Sequence, residues 1–501
     1  MRKWGPLLAV SLGTFMLLLD VTVLIVALPD MAGALDASLT DLQWVIDIYA
    51  LVLAALLLGA GSAADVLGAR RLYLWGTAMF AAASLGCGLA SGPESLIVMR
   101  GIQGLGAAAM FATTLSLLGA AYQGRDRSVA LGVWGAISGA AAAVGPVLGG
   151  VLTQAIDWRW IFFINLPVSV AAVWATLRAV RPSERSVRRI DWAGTAAFAV
   201  FAGAATYGVV RAGEAGWASA RTGGWFLVAA AGLGAFVVVE RRAADPLIDL
   251  SLFRRSSFVT VMAAGMVYNA AAFGVLPYTS IWLQTVLGMS PLTASLALLP
   301  QAVVAFTVAA VSSRLLHGVQ RRWVIGGGML LIGAGTLGQA VLDAGSSWAA
   351  LTAGLMVAGV GVGVISPALA GAALASVPPR NAGMAGGAVN TFRQLGYALG
   401  VAGFGAVAAS QMARSLSGSG VEGAAEAAHT LAGGGAGALR AGGAVTEEAL
   451  RSAFASGLNT AAAAAGVAGL LAGAAALVWL RAPAEESGQV RTKDAVTVER
   501  P

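Results

Sequence analysis

Gly132-Val-Trp-Gly135-Ala-Ile-Ser-Gly139-Ala-Ala-Ala-Ala-Val-Gly145-Pro146-Val-Leu-Gly149-Gly150 contains no charged residue over nineteen positions. Soluble helices avoid this composition. Proline removes an intrahelical hydrogen bond and crowds the preceding turn, and glycine costs about 1 kcal/mol relative to alanine. Inside a bilayer the alternative to helix is unsatisfied backbone, so the helix persists and bends. Its glycines clear a face on which a second helix can lie backbone to backbone. The stretch therefore reads as a kinked, close-packed membrane helix at an interface that moves.

The rest of the chain agrees with a membrane setting. It is 58% hydrophobic and 11% charged, with a mean hydropathy of +0.79, far from the roughly 25% charged residues of soluble domains. A net charge of +7 would point to nucleic acid in a soluble protein. Here the arginines lie between apolar runs, and membrane topology accounts for them without a nucleic-acid partner. The lone Cys87 excludes a disulfide framework.

Fourteen apolar segments approach the roughly 20 residues that a crossing needs. They fall at 5–28, 42–63, 72–90, 95–119, 128–152, 160–180, 191–210 and 222–239, then 257–286, 291–313, 323–342, 348–375, 386–409 and 456–480. Arg2-Lys3 before an apolar run imitates a signal peptide, but Asp20 inside the run favours a retained first span. With the first residue inside, inner segments hold 23 of the 31 Lys and Arg and outer segments hold six, with Arg100 and Arg393 inside spans. Arg188-Arg189, Arg241-Arg242, Arg254-Arg255 and Arg321-Arg322 all fall on the inner side. By the positive-inside rule both termini are cytoplasmic.

Three pairs of motifs recur at nearly one offset: Leu28-Pro29 with Leu276-Pro277, Arg70-Arg71 with Arg321-Arg322, and Gly145-to-Gly149 with Gly396-to-Gly400. This pattern predicts two parallel repeats. The expected organisation is a six-helix bundle over 1–180, two inserted helices with flanking loops over 181–256, and a second six-helix bundle over 257–481. The second bundle carries an outer loop at 410–455, expected to be mobile with a short helix near 445–455. A polar cytoplasmic tail occupies 482–501.

Gly145-Pro146-Val-Leu-Gly149-Gly150 resembles the antiporter motif on the fifth span of major facilitator superfamily drug exporters. Gly61-Ser-Ala-Ala-Asp65-Val-Leu-Gly68-Ala-Arg70-Arg71 resembles the superfamily signature after span two. Leu19-Asp20-Val-Thr22 through Pro29 is similar to the first-span motif of the fourteen-span drug/proton antiporters, with Ile25 where that subfamily has asparagine. Arg100-Gly-Ile-Gln103-Gly104 resembles the proton-transfer motif of span four, and Asp157-Trp-Arg-Trp through Asn165-Leu-Pro167 the approach to span six. The resemblance implies an all-α major facilitator fold of fourteen helices, six plus two plus six. It further implies a multi-pass protein of the cell membrane, acting as a monomer, that exports a small amphiphilic compound in exchange for protons without a cofactor. Gly61, Asp65, Gly68, Arg70 and Arg71 would latch helix ends, since one carboxylate among arginines makes charge-assisted hydrogen bonds.

Charges inside the membrane each cost several kcal/mol unless paired or wet. Asp20, Asp47 and Arg100 all fall in the outer half of the first repeat, so a shared polar cluster that takes up and releases a proton is feasible in depth. A static ion pair that fixes helix packing is the competing reading. The second repeat has no Asp or Glu within a span. Trp44, Gln103, Phe111 and Trp134, with Tyr268, Asn269, Gln284, Gln301 and Asn390, are candidates to line a substrate cavity. Arg393 is a candidate for substrate contact or for closing a gate. No metal-ligand spacing, nucleophile elbow or phosphate loop is found, which argues against an enzyme. A metabolite transporter and a non-transporting membrane sensor are the alternatives.

Overall fold

Eighteen α-helices and no strand appear among the described residues of the computed structural model, which are 3–182, 190–316, 318–375, 377, 382–443 and 445–480. The first helices are α1 (Gly5–Leu35), α2 (Leu39–Leu67), α3 (Ala69–Gly88), α4 (Pro93–Ala121) and α5 (Gly124–Ala155). A short α6 (Trp160–Phe163) leads into α7 (Asn165–Ala179), and α8 (Trp192–Ala215) and α9 (Ala220–Arg242) form a hairpin. Next come α10 (Ser256–Phe273), α11 (Leu276–Ile281), α12 (Pro291–Leu315), α13 (Arg321–Leu337) and α14 (Thr352–Ala375). The chain closes with α15 (Ala382–Gly418), α16 (Ala424–Ala432), α17 (Ala436–Ala441) and α18 (Glu447–Trp479). The sequence marks many of the ends. Ser38 caps α2 by accepting from Asp41 N at 3.2 Å while Asp41 accepts from Ser38 N at 2.9 Å. Pro93 and Pro291 open α4 and α12. Gly68, at φ +91°, makes the turn between α2 and α3 that a side chain would strain.

Eleven of these helices are long and apolar enough to cross a membrane by length and composition. Their outer faces are apolar as well: Trp75, Val170 and Leu227 are each more than 70% exposed. A water-facing surface of that kind would aggregate, and lipid is the solvent that suits it. The protein is a multi-pass membrane protein. Pro29, Pro146, Pro300 and Pro367 stand inside helices, where neighbouring helices supply what the backbone loses.

Helices α1–α7 pack together as one half, and α10–α15 with α18 as the other. The halves meet along two seams, α2 on α15 and α5 on α12. Within each half the glycine-rich fifth helix lies on the first. A methyl group added at Gly149 would sit 2.6 Å from the Val23 carbonyl oxygen, and one added at Gly400 would sit 2.8 Å from the Ala270 α-carbon. The inserted hairpin lies outside the halves, with α8 against both α2 and α15. Hydrogen bonds that cross between the halves include Gln43 to Tyr278, Gln284 to the Val26 carbonyl at 2.8 Å, and Leu292 N to Gln154 at 3.3 Å. All three lie toward the end of the bundle that carries Ser38, and that end is closed.

The segment 410–455 differs from the expected loop. Helix α15 continues to Gly418, α16 and α17 follow, and α18 starts at Glu447. Ala428, Leu431, Ala432 and Ala436 are fully buried: alanine and leucine at helical spacing give this stretch an apolar face that docks on the bundle. Arg440 joins it down, donating to Glu447 at 2.7 Å and to the Thr285 carbonyl at 2.9 Å. Composition rich in small residues reads as loop until that periodicity is weighed. The tail at 482–501 and Arg188-Arg189 lie outside the described residues.

Candidate functional site

Four helices of the first half deliver side chains to one buried point. Asp20 comes from α1, Ser84 from α3, Arg100 and Gln103 from one face of α4, and Asn165 from the start of α7; each is no more than 1% exposed. Arg100 Nη1 donates to Asp20 Oδ2 and, at 2.7 Å, to Gln103 Oε1. Gln103 Nε2 and Asn165 Nδ2 both donate to Asp20 Oδ1, at 2.8 and 3.0 Å, and both reach Ser84 Oγ, at 2.7 and 3.2 Å. Arg100 Nε donates to the Val45 carbonyl at 3.0 Å, and its guanidinium carbon lies 4.4 Å from the Tyr49 ring centre. Asp20 thus has three side-chain donors, and Arg100 has a carboxylate, an amide, a carbonyl and a ring. Removing one partner of such a pair strands a charge in low dielectric, at about 3–5 kcal/mol. The geometry is that of a fixed charged hub.

Asp47 is not part of it. The carbonyl that Arg100 takes belongs to Val45, two residues earlier on α2, while the Asp47 carboxyl is 0% exposed and neither oxygen has a hydrogen-bond partner among the described residues. It lies within electrostatic reach of Tyr278 and Tyr397, both from the other half. The Tyr397 hydroxyl is also without a partner among the described residues. The expected cluster of Asp20, Asp47 and Arg100 therefore divides into a saturated pair and a carboxyl alone at the seam.

The glycine-proline motif lies at two close helix contacts. Gly145 and Gly149 face α1 at Thr22 and Val23, Pro146 is buried, and Gly150 faces α12, where an added methyl would stand 2.8 Å from the Leu292 α-carbon. The loop motif is less complete. Asp65 is exposed and makes no ion pair among the described residues, so the expected latch through it is not closed in this structure. Arg70 donates to the Leu177 carbonyl at 3.0 Å, Arg71 is exposed, and Gly61 borders open space.

The candidate cavity residues scatter. Gln103 belongs to the hub. Trp44 packs on Tyr207 of inserted α8 at 5.7 Å between rings, outside the two halves, because α2 turns that face to the hairpin. Trp134 donates to Thr14 at 2.9 Å, and Phe111 is half-buried against the first-half core. Gln284 ties the halves, and Gln301 donates to the Ala272 carbonyl at 2.8 Å within the second half. The Asn269 side-chain oxygen has no partner among the described residues. Tyr268, Asn390 and Arg393 do come together: Arg393 lies 5.1 Å from the Tyr268 ring centre and 3.4 Å from Asn390 Oδ1.

Sequence reasoning missed Ser84 and Asn165 as hub members, and Gln43 as the partner of Tyr278. Asn165 stood in a recognisable motif, but a neutral amide carries no sign of what it binds. Ser84 has no signal at all within an Ala-Ser-Leu-Gly run.

The family model described as Major Facilitator Superfamily matches residues 10–401. Among curated relatives, the multidrug resistance protein Stp of Mycobacterium tuberculosis (strain CDC 1551 / Oshkosh) is 35% identical over 412 residues, covering 82% of this chain and 76% of the relative. The methylenomycin A resistance protein of Streptomyces coelicolor is 33% identical, covering 80% of this chain and 84% of the relative. The tetracenomycin C resistance and export protein of Streptomyces glaucescens is 33% identical, covering 82% and 77%. A crystal structure of a bacterial homolog to the human lysosomal transporter Spinster, inward-facing and unoccupied, superposes with TM-score 0.65 at 17% identity, covering 96% of this chain and 97% of that one. With its two helical halves, its glycine seams and this match over most of its length, the chain belongs to the Major Facilitator Superfamily of membrane transporters.

Proposed function

We propose that the protein is a proton-coupled exporter that expels a small amphiphilic compound from the cell by alternating access. The names of the resistance and export relatives support this reading, as does the motif set. We read the chain as fourteen-span, adding α3, α5 and α13 to the eleven helices counted above, and as active in monomeric form. The Lys and Arg distribution puts both termini and the Gly68 end of the bundle in the cytoplasm. The closed Ser38 end is then the outer one.

The observation that carries the coupling is the contrast between the two carboxyls. Asp20 is saturated by donors and serves as scaffold. Asp47 has none, and an unpaired charge at the closed seam costs too much to hold there. A neutral Asp47 lets the halves close over it at the outer end. Loss of its proton toward the cytoplasm leaves a charge that the closed seam cannot bury, so the outer end opens and water hydrates the carboxylate. Protonation from outside resets the cycle, and one proton enters as substrate leaves.

Inverted vesicles with an acidic interior test this. The wild-type protein is expected to drive uptake of the neutral dye N-phenyl-1-naphthylamine, and Asp47→Asn to lose it at equal expression. No gradient-driven uptake by the wild type overturns the exporter reading; wild-type rates in Asp47→Asn remove Asp47 from the coupling.

A further inference from the structure

Arg393 is a membrane-embedded cation without a counter-ion. It stands eleven residues along α15 from Ala382, about 16 Å at 1.5 Å per residue. It makes no ion pair among the described residues, its Nε is buried without a partner, and its one side-chain acceptor is Asn390 at 3.4 Å. Its own half can supply no carboxylate at this depth, because α10 to α15 contain no Asp or Glu. Asp20 is committed to Arg100.

The internal repeat explains what is missing. Eight residues before Leu28-Pro29 stands Asp20, and eight before Leu276-Pro277 stands Tyr268. Both positions receive an arginine: Asp20 takes Arg100, and Tyr268 takes Arg393 against its ring face at 5.1 Å. The second half thus has an aromatic ring where the first half has its anion, and its cation comes from the fifth helix, α15, where the first half takes it from the fourth, α4. A ring face holds and orients a guanidinium but leaves its in-plane donors free. Those donors form a planar fork that matches a carboxylate or sulfonate. Arg393 is only partly covered, and one turn further along α15 the partnerless Tyr397 hydroxyl offers another polar contact.

We propose that Arg393, backed by Tyr268, is an anion subsite, and that the exported amphiphile carries a carboxylate, sulfonate or similarly acidic group beside its apolar body. This rests on the exporter reading above. Without that anion, only the Tyr268 ring and Asn390 offset the charge from within the protein; with it, the second half acquires the ion pair that the first half builds from its own residues.

Two dyes that share a ring system make the test. 8-Anilinonaphthalene-1-sulfonate carries the anion, and N-phenyl-1-naphthylamine lacks it. In nanodiscs, with empty nanodiscs as control, the wild type is expected to bind the sulfonate at least tenfold tighter than the neutral dye. Arg393→Gln should erase that preference while binding the neutral dye normally, and Arg393→Lys, which keeps the charge but loses the planar fork, should keep only part of it. No preference in the wild type, or equal sulfonate binding by Arg393→Gln, overturns the proposal. Loss of both dyes in Arg393→Gln also overturns it, because the arginine is then structural. Gradient-driven uptake of the neutral dye is read separately, so the anion subsite can fail while the exporter reading stands.

Discussion

Gln43 of the first half donates to the Tyr278 hydroxyl of the second at 2.9 Å, and that hydroxyl in turn donates to the Val401 carbonyl at 2.7 Å. This buried relay crosses the α2–α15 seam and helps to hold the Ser38 end shut. A hydrogen bond of this kind contributes about 1 kcal/mol net, or roughly fivefold in a two-state equilibrium. In Tyr278→Phe, a cysteine placed at Ala409 beside the relay should therefore react about fivefold faster with an impermeant maleimide added outside. Native Cys87 is buried and contributes little background. An unchanged rate would mean that the relay does not hold the closed state.

The two carboxyls should respond oppositely in stability. Asp20→Asn leaves Arg100 buried without its anion, and is expected to cost about 3–5 kcal/mol, read as a much lower melting temperature in detergent. Asp47→Asn replaces one neutral, partnerless group by another of the same shape and should melt near the wild type. Equal melting of both variants would argue against a hub at Asp20.

Backbone contact at the glycine seams makes them intolerant of even one methyl group. Gly149→Ala would bring its Cβ to 2.6 Å from the Val23 carbonyl, and Gly400→Ala to 2.8 Å from the Ala270 α-carbon. Both variants should insert normally yet lose at least tenfold in dye export. Gly234→Ala on the inserted hairpin, which meets nothing within 4 Å, serves as the control and should export normally. Full activity in the two seam variants would show that these helices need not touch during the cycle.

Asp65 makes no ion pair in this state, so Asp65→Asn should leave dye binding within about twofold of wild type. If the loop closes only when the outer end opens, turnover should fall several-fold, since a ligand or mutation acts only through the states it distinguishes. Binding and turnover falling together would show that Asp65 acts in the state seen here after all.

Much of this was legible in the sequence, for identifiable reasons. Apolar runs of membrane length and intramembrane Asp20, Asp47 and Arg100 are signals that survive without coordinates, because lipid penalises exceptions heavily. The offset between Gly145-to-Gly149 and Gly396-to-Gly400 foretold two related close-packed helices, but not that each rests on the first helix of its half. Helix rotation was not legible: nothing in the spacing says that Asp20 turns to Arg100 while Asp47 turns to the seam, or that Trp44 looks outward to Tyr207. The helical packing of 424–441 was hidden by its small residues, whose burial depends on partners distant in the chain.

The inserted hairpin has a consequence for how cargo arrives. Of the two seams between the halves, α8 roofs the one between α2 and α15, whereas the one between α5 and α12 has no such roof among the described helices. The molecule thus has a front and a back in the plane of the bilayer. A compound already dissolved in lipid finds one side shuttered and meets the bare seam from a single direction, the side on which Gly150 rests against Leu292.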